Sequence, residues 1–281
     1  MRQGWETELV NLRRRASILG ILVVLVAFTR IGCTMDFSVT HTSAFSKTGG
    51  NEANETYVLM RGEIRPGDYN KLIRFSIDNN VDFLAYNFIL ESPGGDVAEA
   101  LAIGRLLKSI YAQAIVGPRY GPCASACFII FASAVDRVGV AGLVGIHRPY
   151  VAPERLRSLT VTEAEREETK VLLDAEKYLH TLRVPRAMVD QMFSLSSTDI
   201  HWLSDDELEQ LGWRAPWYEE LLVARCGLNT QKEKIALASE DPKAKEWLKH
   251  VASCASLLTA PEADKNLNAA LMHFQAHAGV R

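Results

Sequence analysis

A tight turn that leads into an apolar helix constrains this chain more than any other stretch. Residues 121–127 are Gly-Pro-Cys-Ala-Ser-Ala-Cys, and the apolar residues 128–131 follow directly. Glycine and proline interrupt regular structure, and small residues let another backbone approach closely. Ser125 lies where the helix would begin, next to amides that can stabilise a developing oxyanion. Serine is also a favoured helix N-cap, so this stretch alone allows either a capping residue or a nucleophile.

Two further stretches place candidate partners before and after this turn. Residues 87–91 are a short apolar strand candidate that runs into Ser-Pro-Gly-Gly-Asp at residues 92–96, and helix-like spacing follows. A strand, a glycine pair and a helix are typical of a turn that points backbone N–H groups into a cleft. His147 lies downstream, within Ile-His-Arg-Pro at residues 146–149. A neutral imidazole is the usual partner that activates a serine hydroxyl.

In this order and at this spacing, the three stretches resemble the motifs of the Clp protease proteolytic subunit, within the Clp/crotonase superfamily. That family carries a Ser-Pro-Gly-Gly turn, a Gly-x-Ala-Ala-Ser-Met-Gly nucleophile helix and an Ile-His-Gln-Pro segment. The resemblance covers about residues 57–213. It implies that Ser125 is the nucleophile and that His147 is its general base. It also implies that the amides of Gly95 and Ala126 form an oxyanion hole.

The third member of the implied triad is an aspartate that orients the histidine, and our prediction is Asp199. The family places this aspartate just before a Phe-Leu/Met-Ser stretch and a helix that ends in Tyr-Gly. Residues 199–212 match the pattern with one extra residue between the aspartate and the serine. Asp190 and Asp205 stay open as alternatives, and Asp205 is also a candidate helix cap.

The alternation of strand and helix candidates predicts an α/β fold with a parallel sheet and crossover helices. The resemblance implies a Clp/crotonase-like ββα superhelix for the catalytic domain, at residues 57–215. Residues 36–56 are polar and contain two adjacent glycines, which is typical of a linker. Residues 216–281 lie outside the resemblance, and we expect them to form a helical C-terminal appendage.

We expect residues 1–35 to be a signal peptide or an N-terminal membrane anchor. Three arginines at residues 13–15 precede an apolar run at residues 16–29, in the order and proportions of a signal sequence. Because such positive charges stay on the cytoplasmic side, the rest of the chain would be exported to the periplasm. It would there be released or stay anchored to the inner membrane, and lipidation of Cys33 is a minor alternative.

Cysteine usage agrees with export. The chain has five cysteines, and Cys33 in the N-terminal segment leaves an even four. We expect Cys226 and Cys254 to form a disulfide in an oxidising compartment. The spacing of Cys123 and Cys127 would place them on one helical face, where we expect them to pack as small apolar residues. No cysteine or histidine pair at ligand spacing lies nearby, so we expect no metal site.

A charge-rich helix candidate at residues 162–182 bears on assembly and on catalysis. It has an apolar stripe, and the matching region of the Clp subunit is a handle helix used in contacts between rings. The resemblance therefore implies self-association into a homo-oligomer. Signal peptide peptidases, a sister family, use a Ser/Lys dyad, which makes Lys170 and Lys177 candidate bases. We expect both to be solvated charges, because His147 lies in its own motif.

The sequence therefore predicts an exported serine peptidase that hydrolyses peptide or protein substrates by a Ser-His-Asp mechanism without a cofactor. CoA is not expected, because crotonase relatives lack this Ser/His pair, and an ATP-dependent partner is not expected outside the cytoplasm. The net charge of -3 argues against a nucleic-acid binder. The alternative is a non-catalytic binding or scaffold protein that retains the fold. Two departures from the family's pattern allow this alternative. Cys127 stands where the family has glycine, and one extra residue separates Asp199 from the serine that follows it.

Overall fold

Strands and helices alternate through the computed structural model, which describes residues 35–42, 55–83, 87–151 and 153–278. The strands are β1 (Asp36–Thr42), β2 (Glu55–Arg61), β3 (Asn87–Glu91), β4 (Gln113–Ile115), β5 (Cys123–Ala124), β6 (Asp136–Val138), β7 (Val144–Ile146) and β8 (His201–Trp202). The helices are α1 (Asp68–Asp78), α2 (Val97–Ser109), α3 (Ala126–Ser133), α4 (Pro153–Leu156), α5 (Val161–Thr181), α6 (Arg186–Ser194), α7 (Asp205–Leu211), α8 (Pro216–Cys226), α9 (Thr230–Leu237) and α10 (Pro242–Ala278).

Within the described residues, these strands pair into two sheets. The larger sheet has the order β1-β2-β3-β4-β6, and the smaller has the order β5-β7-β8. Neighbours from β2 to β6 in the larger sheet are parallel, as are β5 and β7, whereas β1 and β8 pair antiparallel at the edges. The predicted α/β class with a parallel sheet and crossover helices is confirmed. The ββα superhelix stays a prediction.

The region predicted as a linker begins as a strand. β1 pairs with β2 along its whole length, from Asp36 opposite Arg61 to Thr42 opposite Glu55. Phe37 and the preceding Met35 are buried, while most other side chains of the strand face solvent. An edge strand with one solvent-exposed face contains many polar residues, so its composition resembles that of a linker. Residues 43–54 lie outside the described residues.

Helix α3 is the centre of the core. All eight of its residues are buried, and they are apolar around almost the whole circumference. A helix of this kind needs other elements on every side. Helix α2 packs against it with buried residues that include Leu101 and Ile103, and α5 contributes Ala175 and Leu179 to the same core. The start of α3, where Ser125 lies, is therefore held from several directions.

The C-terminal helices pack onto the same body as the sheet, since the described residues from 35 to 278 belong to one compact unit. Helix α8 buries Tyr218 and Leu222 in a smaller apolar cluster, and Val251 of α10 joins them. Cys226 and Cys254 form a disulfide with a Cα–Cα distance of 5.6 Å. The predicted helical C-terminus and this disulfide pairing are both confirmed.

In the part of the chain that the structure describes, no helix has the length and apolar character needed to cross a membrane. The segment predicted as a signal peptide or anchor, including Cys33, lies outside the described residues apart from its last residue. Its processing and lipidation stay predictions.

Candidate active site

Ser125 joins β5 to α3 in a backbone conformation that serine seldom adopts. Its φ is 60° and its ψ is -126°. Such a conformation costs about 1–3 kcal/mol and persists only where the surrounding structure enforces it. Ser125 occupies the N-cap position of α3, yet its side chain makes no capping hydrogen bond. Helix capping therefore does not explain the serine, and its hydroxyl is left for other chemistry.

Backbone hydrogen bonds tie the Ser125 turn to both of the other motifs. The N–H of Ser125 donates to the carbonyl of Gly145 at 3.0 Å, which binds the turn to β7. The N–H of Ala124 donates to the carbonyl of Ser92 at 3.0 Å, and the N–H of Ser92 donates to Pro122 at 2.9 Å. The three stretches singled out in the sequence are thus neighbours in the fold.

His147 follows β7 at the same edge where Ser125 follows β5. The two strands are parallel, with Ala124 opposite Gly145, so the residues after them lie side by side. The His147 side chain is buried, with a relative exposure of 5%. Among the described residues, no hydrogen bond directly joins Ser125 Oγ to His147. Catalytic hydrogen bonds are often long before substrate binds and tighten in the complex.

The protonation of His147 suits a general base. Its Nδ1 lies 2.9 Å from the carbonyl oxygen of Arg148. Since a carbonyl only accepts, Nδ1 carries the proton, and Nε2 of the neutral ring is left as an acceptor. Burial lowers the pKa of His147, and the hydrogen bond to the Arg148 carbonyl opposes this effect. The imidazole is therefore neutral at pH 7 and able to take a proton at Nε2.

Asp199 lies near this edge of the sheet, but it is not joined to His147. The register of β7 and β8 pairs Ile146 with His201, which places Asp199 two residues before the pair, at the end where His147 emerges. The Asp199 side chain is exposed. Among the described residues, the only hydrogen-bond acceptor for His147 Nδ1 is the carbonyl oxygen of Arg148. The role of Asp199 in orienting His147 stays a prediction.

The two alternative aspartates have other surroundings. Asp190 is exposed on α6 and faces Arg186 in an ion pair of 3.7 Å. Asp205 begins α7, where the N-cap is Ser204, whose side chain accepts from the N–H of Glu207 in a capping box. The alternative interpretation of Asp205 as the cap of this helix does not hold, because Ser204 precedes it and makes the capping bond.

Glycines of the Ser-Pro-Gly-Gly turn bring the backbone close to Ser125. Gly94 and Gly95 have φ values of 100° and 139°. A Cβ added to Gly94 would lie 2.5 Å from Ser125 Cβ and 2.9 Å from the nitrogen of Ala126. This close approach was not foreseen from the sequence, which directed attention to Gly95 instead. The glycine pair itself was the available signal.

The N–H groups predicted to form the oxyanion hole are available. Ile64 donates to the Gly94 carbonyl at 2.8 Å and accepts from the N–H of Asp96, so this bridge leaves the N–H of Gly95 unused. Ala126 is the first residue of α3, where an N–H has no partner within the helix. Neither N–H has an acceptor among the described residues. Their assignment to an oxyanion hole stays a prediction that this arrangement allows.

Cys123 and Cys127 form a disulfide with a Cα–Cα distance of 5.3 Å. The expectation that they pack as separate apolar residues on one helical face is wrong. Cys123 lies in β5, and only Cys127 lies in α3, so helical spacing does not apply. The sharp turn at Ser125 folds the strand back beside the helix and brings the two sulfur atoms together.

The lysines considered as alternative bases lie on α5, and both are exposed. Lys170 faces Asp174 at 3.5 Å, one helical turn away. Their exposure therefore supports the interpretation that both lysines are solvated surface charges. No group of three or more histidine, cysteine or acidic side chains with the geometry of a metal site occurs among the described residues.

No protein-family model matches this chain, and no curated protein matches its sequence. Among solved structures, the chain is similar to that of a point mutant of ClpP1 from Listeria monocytogenes. The two share 20% sequence identity over 56% of this chain and 86% of that chain, with a TM-score of 0.41. At this level the likeness bears on no residue role.

Proposed function

We propose that this protein is a serine peptidase in which Ser125 is the nucleophile and His147 is the general base. The observation that carries the proposal is the Ser125 turn. Its backbone is strained and its hydroxyl does not cap the helix that it begins. The neighbouring imidazole is buried with Nδ1 protonated, so the basic nitrogen is free. Strained residues of this kind cluster at active sites, where the strain belongs to the mechanism.

The proposed reaction uses these groups in turn. Ser125 Oγ attacks the carbonyl carbon of a peptide bond while Nε2 of His147 takes its proton. The oxygen of that carbonyl becomes an oxyanion, which the N–H groups of Gly95 and Ala126 stabilise. His147 then protonates the leaving amine, and water hydrolyses the acyl-enzyme by the same steps. None of these steps requires a cofactor.

Asp199 is the proposed third member of this site. The Arg148 carbonyl holds Nδ1 protonated in the resting state. A carbonyl carries only a partial charge, so the imidazolium formed during the reaction gains more from a carboxylate. Asp199 is the aspartate that the strand register brings to this edge.

The cellular setting of the proposal comes from the cysteines and from the N-terminal sequence. Two disulfides are compatible with an exported protein that acts in the periplasm, either free or anchored at its N-terminus. A peptide or protein is the proposed substrate. Self-association through α5 is proposed from its exposed apolar residues, such as Val161 and Leu173.

A fluorophosphonate probe tests the proposal, because only an activated serine reacts with it. Peptide mapping should place the label on Ser125, and Ser125→Ala and His147→Ala should each abolish labelling without unfolding the protein. Ser133→Ala is the matched control, since it removes a buried hydroxyl at the other end of α3. Its labelling should equal that of the wild type.

Two results would contradict this assignment. A wild-type protein that never labels would favour the non-catalytic binding or scaffold protein, which the missing Ser125–His147 hydrogen bond also permits. A His147→Ala variant that labels at the wild-type rate would show that another base is used, and Lys177 would then be tested.

A further inference from the structure

The Cys123–Cys127 disulfide encloses the most strained part of the candidate site. Cys123 is the first residue of β5 and is bound to its neighbours, with its N–H donating to the Leu143 carbonyl at 2.9 Å. Cys127 is the second residue of α3. The bond between them therefore spans the turn that holds Ser125 at positive φ and presents the N–H of Ala126. It links the strand before the nucleophile directly to the helix after it.

The first turn of α3 lacks the usual restraint of a helix start. A serine at an N-cap normally accepts a hydrogen bond from an N–H of the first turn, which is worth about 1 kcal/mol. Ser125 makes no such bond. A hydroxyl engaged in capping is not free to attack a substrate, so a nucleophile at this position leaves the helix start without its cap. A covalent link at the same place supplies the missing restraint.

We propose that Cys123 and Cys127 are positioning residues for Ser125, and that the serine is reactive only while they are joined. This inference rests on the proposed peptidase function, because it concerns regulation of the same site. Joining the cysteines removes two electrons and two protons from two thiols and forms one S–S bond. The acceptor is a disulfide of a second molecule, which is reduced to two thiols. A dithiol reductant reverses the reaction.

Burial determines how this dependence operates. Cys123 has a relative exposure of 0% and Cys127 of 1%. Thiol–disulfide exchange needs direct access to a sulfur atom, so the folded turn must open before the bond can form or break. The disulfide is thus acquired during folding in an oxidising compartment and persists in the native protein. A chain that folds in a reducing compartment lacks this bond, so its Ser125 turn is loosened and the serine is inactive.

The test compares two disulfide knockouts. The double variant Cys123→Ala/Cys127→Ala removes the link across the Ser125 turn, and Cys226→Ala/Cys254→Ala is the matched control elsewhere in the same chain. Each is assayed for the rate of fluorophosphonate labelling, for amide hydrogen exchange in the peptide that contains residues 121–131, and for melting temperature. A misplacement of about 1 Å at a reacting group costs roughly 100-fold in rate.

We expect the first variant to label about 100-fold more slowly than the wild type and to exchange faster within residues 121–131, at a temperature where it stays folded. The control should melt at a lower temperature while its labelling and local exchange equal those of the wild type. A first variant with wild-type labelling and wild-type exchange would overturn the inference. A control that loses labelling equally while folded would also overturn it, since the effect would then not be specific to the turn.

Two further measurements keep the inference separate from folding failure and from the proposed function. If the double variant does not fold, the wild-type protein can be refolded in a series of dithiol/disulfide buffers. The extent of labelling should then be proportional to the fraction of molecules in which peptide mapping finds the Cys123–Cys127 bond. Labelling that does not depend on this fraction would refute the inference. If oxidised wild-type protein does not label at all, the peptidase proposal fails. Hydrogen exchange across residues 121–131 then still decides whether the disulfide holds the turn.

Discussion

Replacement of Gly94 by alanine should disable the candidate site without unfolding the protein. At φ 100° an L-residue is strained, at a cost of about 1–2 kcal/mol. The new Cβ would lie 2.5 Å from Ser125 Cβ and 2.8 Å from the Ala124 carbonyl oxygen. Carbon atoms prefer separations of about 3.5–4.0 Å, so the turn at Ser125 must shift by roughly 1 Å. A shift of that size at a reacting group costs about 100-fold in rate.

Gly67→Ala is the matched control for backbone strain. Gly67 has a φ of 96°, and a Cβ added there meets nothing within 4 Å. This variant should lose only the conformational term of about 1–2 kcal/mol. Gly94→Ala should lose a further 1–3 kcal/mol or so, because the added methyl group overpacks the site.

The assay pairs the fluorophosphonate labelling rate with urea unfolding of both variants. Gly67→Ala should label as fast as the wild type, whereas Gly94→Ala should label about 100-fold more slowly while more than nine-tenths folded. Equal labelling of the two variants would refute the argument that Gly94 is required by its contact with Ser125.

Three other perturbations test the histidine, the aspartate and the second disulfide. Because burial lowers the pKa of His147, the labelling rate should be constant at neutral pH and fall only below pH ~6.5. The free energy of unfolding should also fall below that pH, since the unfolded chain binds the proton before the folded chain does. A midpoint of the labelling rate above pH 7 would contradict this prediction. Asp199→Asn should slow labelling by about a thousandfold with little change in melting temperature, while a wild-type rate would mean that the carbonyl of Arg148 holds the tautomer unaided. Removal of the Cys226–Cys254 bond should lower the free energy of unfolding by about 3–4 kcal/mol in a denaturant titration, because the bond closes a loop with a sequence separation of 28. Free thiols at both positions in exported native protein would contradict the pairing.

The parts of the fold that sequence could predict depend on local chemistry. Glycine and proline turns, apolar runs and helical spacing lie within a few residues of one another, so the α/β class and the elements around Ser125 and His147 followed from them. The Cys226–Cys254 pair was also accessible, because few cysteines remained to choose from. Strand β1 was missed because an edge strand obtains its pairing from β2, which lies beyond a polar segment.

The sequence by itself singled out the residues that are proposed to carry chemistry, since the serine, the histidine and the glycine turn occur in one order along the chain. Tertiary structure alone decided how they meet. The turn at Ser125, not helical spacing, joined Cys123 to Cys127. The partner of His147 Nδ1 and the unused N–H of Gly95 depend on hydrogen bonds and on burial, which are set by segments far apart in sequence. Residue type specifies what a group can do, whereas proton position and access depend on the packing around it.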